Sequence, residues 1–147
     1  MMSYTTSALI MLFAGLGVPI LAALNASLGK FLGSPIAAVT ILLGIAFGTV
    51  CLILLFSSHF SFSKLIEAPR YLLLAGLFMV FYILSITTIA PSFGVGNAIF
   101  FVLLGQLISA AIIDHFGLFG SNMMPVSTTR LIGIGLMGLG VWMTQQF

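Results

Sequence analysis

The sequence predicts an all-α membrane protein, residues 1–147 forming a single membrane domain of five transmembrane helices, and three observations carry that prediction. Of its 147 residues, 61% are hydrophobic and only 4% are charged, against roughly 45–50% and about 25% in ordinary soluble domains. The apolar residues are gathered into runs of the length needed to cross a hydrocarbon core about 30 Å thick, which takes about 20 helical residues. Proline, glycine or charge separates the runs, at Lys30–Ser34, Ser57–Arg70, Pro91–Gly94 and Asp114–Thr129.

The same composition excludes other classes. Four basic and two acidic residues cannot build the electrostatic footprint of a nucleic-acid binder. A single cysteine, Cys51, rules out an intramolecular disulfide and offers no thiolate cluster for zinc or iron–sulfur ligation, so a small buried hydrophobe is expected there. No metal, no cofactor and no enzymatic activity are expected, because no serine has an intramembrane histidine near it. The opening MMSYTTSALIM has neither a lysine nor an arginine before its apolar run, which speaks against a cleaved signal peptide.

The first segment is expected over 7–29. Gly15, Pro19, Ala22, Ala26 and Gly29 recur at i, i+4, i+7, i+11 and i+14, placing small or kinking residues on one stripe where helices can approach closely. Pro19 should bend this helix, and Asn25 borders the stripe as an interhelical hydrogen bond or loop cap, or as a cavity-lining contact. The second segment, 35–56, starts at Ser34-Pro35, a cap followed by a proline suited to the first turn. Its stripe of Ala37, Thr40, Gly44, Gly48 and Cys51 contains a GxxxG spacing, expected to make an internal contact more than a dimer face. The interval Ser57–Arg70 reads as a solvated loop, with a short interfacial helix as an option through Phe60, Phe62, Leu65 and Ile66.

The third segment, 71–90, should be stopped by Pro91. Tyr71, Phe78, Tyr82 and Ser85 share one face of it, suited to a cavity wall or to anchored, packed aromatics. The fourth, 95–113, carries Gln106, an amide inside a run that has no water to bond, so it is expected to turn inward, with Ser109 and Gly105 on the same side. Asp114-His115 follows where such a helix would leave the hydrocarbon; Asp114 pairs with Arg130 or anchors at the interface, and proton coupling through the pair is the weaker option. The fifth, 130–146, has glycines on two opposite faces and Trp142 near its end, placed as an interfacial anchor.

Five spans put the termini on opposite sides of the membrane. Lys64, Arg70 and Arg130 fall on the N-terminal side and Lys30 on the other, a bias toward a cytoplasmic N-terminus that leaves both orientations open. Two copies in opposite orientations would give a ten-helix, inverted-repeat homodimer, the geometry on which alternating access is built.

Particular strings then carry a resemblance: LNASLG at Leu24–Gly29 with Ser34-Pro35, FYIL at Phe81–Leu84 leading to Ala90–Gly94, GQL at Gly105–Leu107, DHFGLFG at Asp114–Gly120, and Arg130–Gly133. Together the chain resembles the YdcZ family, small five-span bacterial inner-membrane proteins of the drug/metabolite transporter superfamily. The resemblance implies an exporter working as an oppositely oriented pair, with Asn25, Gln106 and Asp114 at characteristic positions. No aspartate, glutamate, lysine or arginine lies in the interior of a predicted span, which disfavours proton-for-cation exchange of the small multidrug type. The favoured expectation is a small neutral, zwitterionic or amphipathic substrate held by Asn25, Tyr82, Ser85, Gln106 and Ser109. A membrane assembly or scaffold subunit, and a flippase for lipid-linked intermediates, remain open alternatives.

Overall fold

The computed structural model describes residues 3–57 and 66–144. They form α1 (Tyr4–Leu32), α2 (Pro35–Leu55), a 3-10 turn (Arg70–Leu74) running into α3 (Ala75–Phe93), α4 (Val95–Phe116), a second 3-10 turn (Leu118–Gly120) and α5 (Thr128–Thr144). Four helical stretches, Tyr4–Leu32, Pro35–Leu55, Arg70–Phe93 and Val95–Phe116, are long and apolar enough to cross a membrane. In α5, 17 residues are described, about 26 Å of helix at 1.5 Å per residue. The optional interfacial helix, with Phe60, Phe62 and Leu65, and the side chains of His59 and Lys64 lie outside the described residues.

Local chemistry sets the ends. Ser3 caps α1 by accepting from the Thr6 amide, and Gly33 closes it in the left-handed region at φ 66°, a conformation glycine adopts without a Cβ penalty. Ser34 then accepts from the Ala37 amide at 3.2 Å and Pro35 occupies the first turn of α2. The α1–α2 connection is therefore only Gly33-Ser34, and α1 runs past the expected end at Gly29. Lys30 stays in its last turn, where a cation faces the negative helix end and a long stem can carry the charge outward.

Pro91 does not stop the third helix, contrary to expectation; it lies inside α3, which continues to Phe93. A proline there removes one backbone donor, and the Gly94 amide still bonds the Ala90 carbonyl at 3.0 Å, so the last turn closes around it. The fourth helix extends to Phe116 and the fifth begins at Thr128, each a few residues beyond the predicted limits.

The chain divides into two compact units, Met1–Val95 and Gly96–Phe147. In the first, α1, α2 and α3 all pack on one another. Its buried residues are Ala22, Asn25, Ala26 and Gly29 of α1, Ala38 and Val39 of α2, and Ile83, Ile86, Thr87 and Ala90 of α3. All of these lie toward the α1–α2 turn. A Cβ built on Gly29 would meet Pro35 Cα at 3.4 Å and Thr87 Cγ2 at 3.5 Å: the three backbones approach where their side chains are smallest.

Away from that knot the first unit is apolar but exposed. Gly44 and Gly48 are exposed with nothing within 4 Å of a built Cβ, so the internal contact expected of the GxxxG spacing is not formed among the described residues of this unit. Ala38 and Val39, one turn from Pro35, bury instead, because the two-residue turn forces α1 and α2 together only near it. Cys51 is half-buried, not fully buried as expected, since it sits toward the far end of α2.

Candidate functional site

Polar groups at membrane depth are the natural candidates, since each must be satisfied by protein, by water or by a ligand. In the first unit Asn25 projects from the small-residue stripe of α1 and donates through Nδ2 to Thr87 Oγ1 of α3 at 2.7 Å. Both residues are nearly shut off from solvent, Asn25 at 3% exposure and Thr87 at 1%. The amide still borders an otherwise apolar groove of about 320 Å³ between α1 and α2, lined by Leu21, Leu24, Leu28, Ile41 and Ile45. Interhelical bonding and cavity lining, the two readings of Asn25, are thus compatible. Ala26, Gly29, Lys30, Pro35, Thr87 and Thr88 line a smaller recess of about 280 Å³.

Along the 3-10 turn and α3, the face with Tyr71, Phe78, Tyr82 and Ser85 is largely outward. Phe78 and Phe81 are exposed and, with Leu74 and Leu77, line an open apolar groove of about 410 Å³. Tyr82 and Ser85 are half-buried. The Tyr82 hydroxyl is enclosed yet has no hydrogen-bond partner among the described residues. A buried phenol without a partner forfeits a bond worth about 1 kcal/mol net and leaves a desolvated polar atom. It can donate to or accept from whatever enters beside it.

In the second unit Gln106 stands near the middle of α4 and is exposed within that unit, as is Ser109 one turn on. Among the described residues of this unit Gln106 is therefore not turned into a packed interior. A helix this apolar would otherwise present that face to acyl tails.

The end of α4 is tightly tied. Arg130 Nη2 of α5 donates to Asp114 Oδ2 at 2.8 Å, with the two side chains 36% and 32% exposed. Of the two roles left open for Asp114, the pairing is present. The Asp114 carbonyl accepts from the Met124 amide at 2.8 Å, Ser121 Oγ donates to the Ile113 carbonyl at 3.2 Å, and the Val126 amide donates to His115 Nδ1 at 3.1 Å. Gly117 supplies the left-handed residue, φ 60°, that turns the chain out of α4. Below this corner Ile108, Ala111, Ile112, His115, Val126 and Leu131 border a groove of about 380 Å³ between α4 and α5.

The seven candidates thus fall into two sets, Asn25, Tyr82 and Ser85 in the first unit and Gln106, Ser109, Asp114 and His115 in the second. Thr87, the partner of Asn25, escaped the sequence reading. Its signal was the buried spacing Ile83, Ile86/Thr87, Ala90, masked by the more conspicuous aromatics on the neighbouring face. No group of three or more metal-ligating side chains occurs among the described residues.

Residues 6–143 match the family model described as "Putative inner membrane exporter, YdcZ". No curated protein and no solved structure matches the chain.

Proposed function

The chain belongs to the YdcZ family of inner membrane exporters, a multi-pass protein of that membrane, and on this premise we propose that it exports a small neutral, zwitterionic or amphipathic metabolite. The observation that carries the reading is the family match across residues 6–143. Alternating access would occur at the interface of two copies inserted in opposite orientations, giving ten helices around a midplane site. The bacterial inner membrane is the expected location of such a pair.

The chemistry of the polar groups supports this reading. Gln106 and Ser109 are exposed on a membrane-length helix, and a second copy would remove them from lipid while keeping the amide available to substrate. Tyr82 carries an enclosed hydroxyl without a partner among the described residues, and Asn25 has one amide proton committed to Thr87, leaving its remaining capacity for a ligand. Ser85 lies three residues beyond Tyr82, close to the same face. With no acid or base among these groups, substrate would be held by hydrogen bonds and apolar cover and not by ion pairing.

The test is twofold. Purified protein in lipid nanodiscs should have the mass of two chains, and single-cysteine labelling at either terminus should find both orientations. Cells producing the wild-type chain should enrich a metabolite in the medium that cells producing Gln106→Ala do not. Monomeric protein of one orientation, or an undiminished Gln106→Ala exporter, would sink the proposal.

A further inference from the structure

We infer that the corner between α4 and α5 is a lipid anchor, whose apolar side chains Phe119, Met123 and Met124 insert at the headgroup–acyl boundary of the bilayer that the helices cross. The string DHFGLFG at Asp114–Gly120 opens this corner, and the proposed transport uses none of its apolar residues. From Phe116 to Thr129 no residue carries a charge or an ionisable group. The other long connection, Ser57–Arg70, holds His59, Lys64, Glu67 and Arg70, the composition of a solvated segment.

The backbone of the corner displays its apolar side chains outward. Phe119 is held at φ 56°, the one non-glycine residue with positive φ among those described, in a conformation that bulky side chains seldom adopt. Its ring is 72% exposed within the second unit, and Met123 and Met124 are exposed as well. Several polar atoms beside them are instead engaged internally. Ser121 N–H donates to the Leu118 carbonyl at 3.1 Å and Met124 N–H to the Asp114 carbonyl at 2.8 Å, while Ser121 Oγ donates to the Ile113 carbonyl at 3.2 Å. Pro125 has no N–H to satisfy. A loop that bonds its own polar atoms and turns apolar groups outward is the reverse of one made for water. It suits the boundary region, where irregular backbone must bring its own hydrogen bonds and apolar side chains are sheltered.

The depth follows from the helix. α4 has 22 residues, about 33 Å at 1.5 Å per residue against a hydrocarbon core of about 30 Å, so its last turn lies at the edge of the acyl region. Met124 returns to that turn through the Asp114 carbonyl. The methionines therefore lie level with the end of a membrane-length helix and continue its apolar surface. Asp114 and Arg130, the charges of the corner, are paired at 2.8 Å, which leaves apolar burial, and not attraction to anionic lipid, as the driving force. Gln106 lies about 15 Å back along α4 from Phe116, so an anchored corner holds that amide near mid-depth. The anchor requires no assumption about cargo or assembly.

The test uses the full chain in lipid nanodiscs with isotope-labelled methionine methyl groups, the Met123 and Met124 signals being assigned by replacing each in turn with leucine. Four relaxing probes are compared: a nitroxide on the lipid headgroup, one at the top of the acyl chain, one at its end, and a gadolinium chelate dissolved in the water. Both methyl signals should lose intensity most with the headgroup and upper-chain nitroxides and little with the chelate, equally in zwitterionic and in partly anionic lipid. Loss with the chelate alone would put the corner in water and overturn the anchor. Methyl groups that no probe reaches would mean a protein covering, such as a second copy, and overturn it as well. Phe119→Ser should weaken the loss caused by the lipid-borne nitroxides, and an unchanged response in that variant overturns the part given to the ring. Should the variant not fold, the wild-type measurement decides alone.

Discussion

The two units treat polar residues at membrane depth in opposite ways. In the first, Asn25 is paired with Thr87 inside a knot of alanine and glycine, and both are almost wholly buried. In the second, Gln106 and Ser109 stand exposed along α4, and the well-satisfied polar groups are those at the helix end, Asp114, His115 and Arg130. The first unit solves the desolvation of its amide internally, by bringing three helices together. The second holds an amide whose burial requires something beyond its own two helices. The fold itself satisfies the polar pair of the first unit and leaves the amide and hydroxyl of the second exposed.

The sharpest way to break that contrast is to overfill the knot. Gly29→Leu would drive a branched side chain into Pro35 and Thr87, which a bare Cβ already approaches at 3.4 and 3.5 Å. A loss of about 2–3 kcal/mol is expected from overpacking, read as a lowered midpoint in denaturant or thermal unfolding in mild detergent. Leucine at Gly44, where nothing lies within 4 Å, should leave the midpoint of the isolated chain unchanged.

Next in size is the polar pair. Thr87→Val keeps the shape but strands the Asn25 donor, at an expected cost of about 1–2 kcal/mol. A double-mutant cycle with Asn25→Ala should return a coupling of about 0.6–1.7 kcal/mol. Independent effects of the two substitutions would mean that the 2.7 Å bond contributes nothing to stability.

Gln106→Ala should act on assembly and not on the fold of one chain. If its amide is covered by a second copy, losing it weakens association by about 1 kcal/mol, a roughly fivefold shift in dimer dissociation measured by dilution in nanodiscs or detergent. The unfolding midpoint of the monomer should not move. A destabilised monomer would show that Gln106 is as internal as Asn25, and the contrast between the units would disappear.

The smallest effect is expected at the ion pair. Asp114→Asn removes one partner of a bridge whose side chains are about one-third exposed, and solvent screening limits the loss to about 0.5 kcal/mol. Salt should erase most of the difference. The Asp114 carbonyl keeps its bond to the Met124 amide, so the corner itself should persist in this variant.

Much of the fold is readable along the chain because a bilayer imposes a one-dimensional rule. Any run of apolar residues of sufficient length becomes a helix, as 4–32, 35–55, 70–93 and 95–116 do, and capping residues such as Ser34 with Pro35 mark a start without reference to anything distant. Misreadings arose where a local signal met tertiary tolerance. Pro91 reads as a terminator, yet the turn around it closes through Gly94. The Gly44–Gly48 spacing reads as a contact, yet contact depends on where a neighbour is brought near, and the two-residue turn at Gly33 brings it near Ala38 instead.

The sequence by itself determined the solvent, an all-helical chain with four to five long apolar helices, the family, and which few polar residues would be costly to bury. These depend on sums over neighbours in the chain, and hydropathy, capping and proline chemistry are all local. Tertiary structure alone decided the partners: that Asn25 meets Thr87, 62 residues away, that the Tyr82 hydroxyl is enclosed without one among the described residues, and that the Val126 amide lands on His115 Nδ1. A hydrogen bond is made over about 3 Å and in one direction, so its formation rests on how helices cross and loops return, which no stretch of the chain encodes alone.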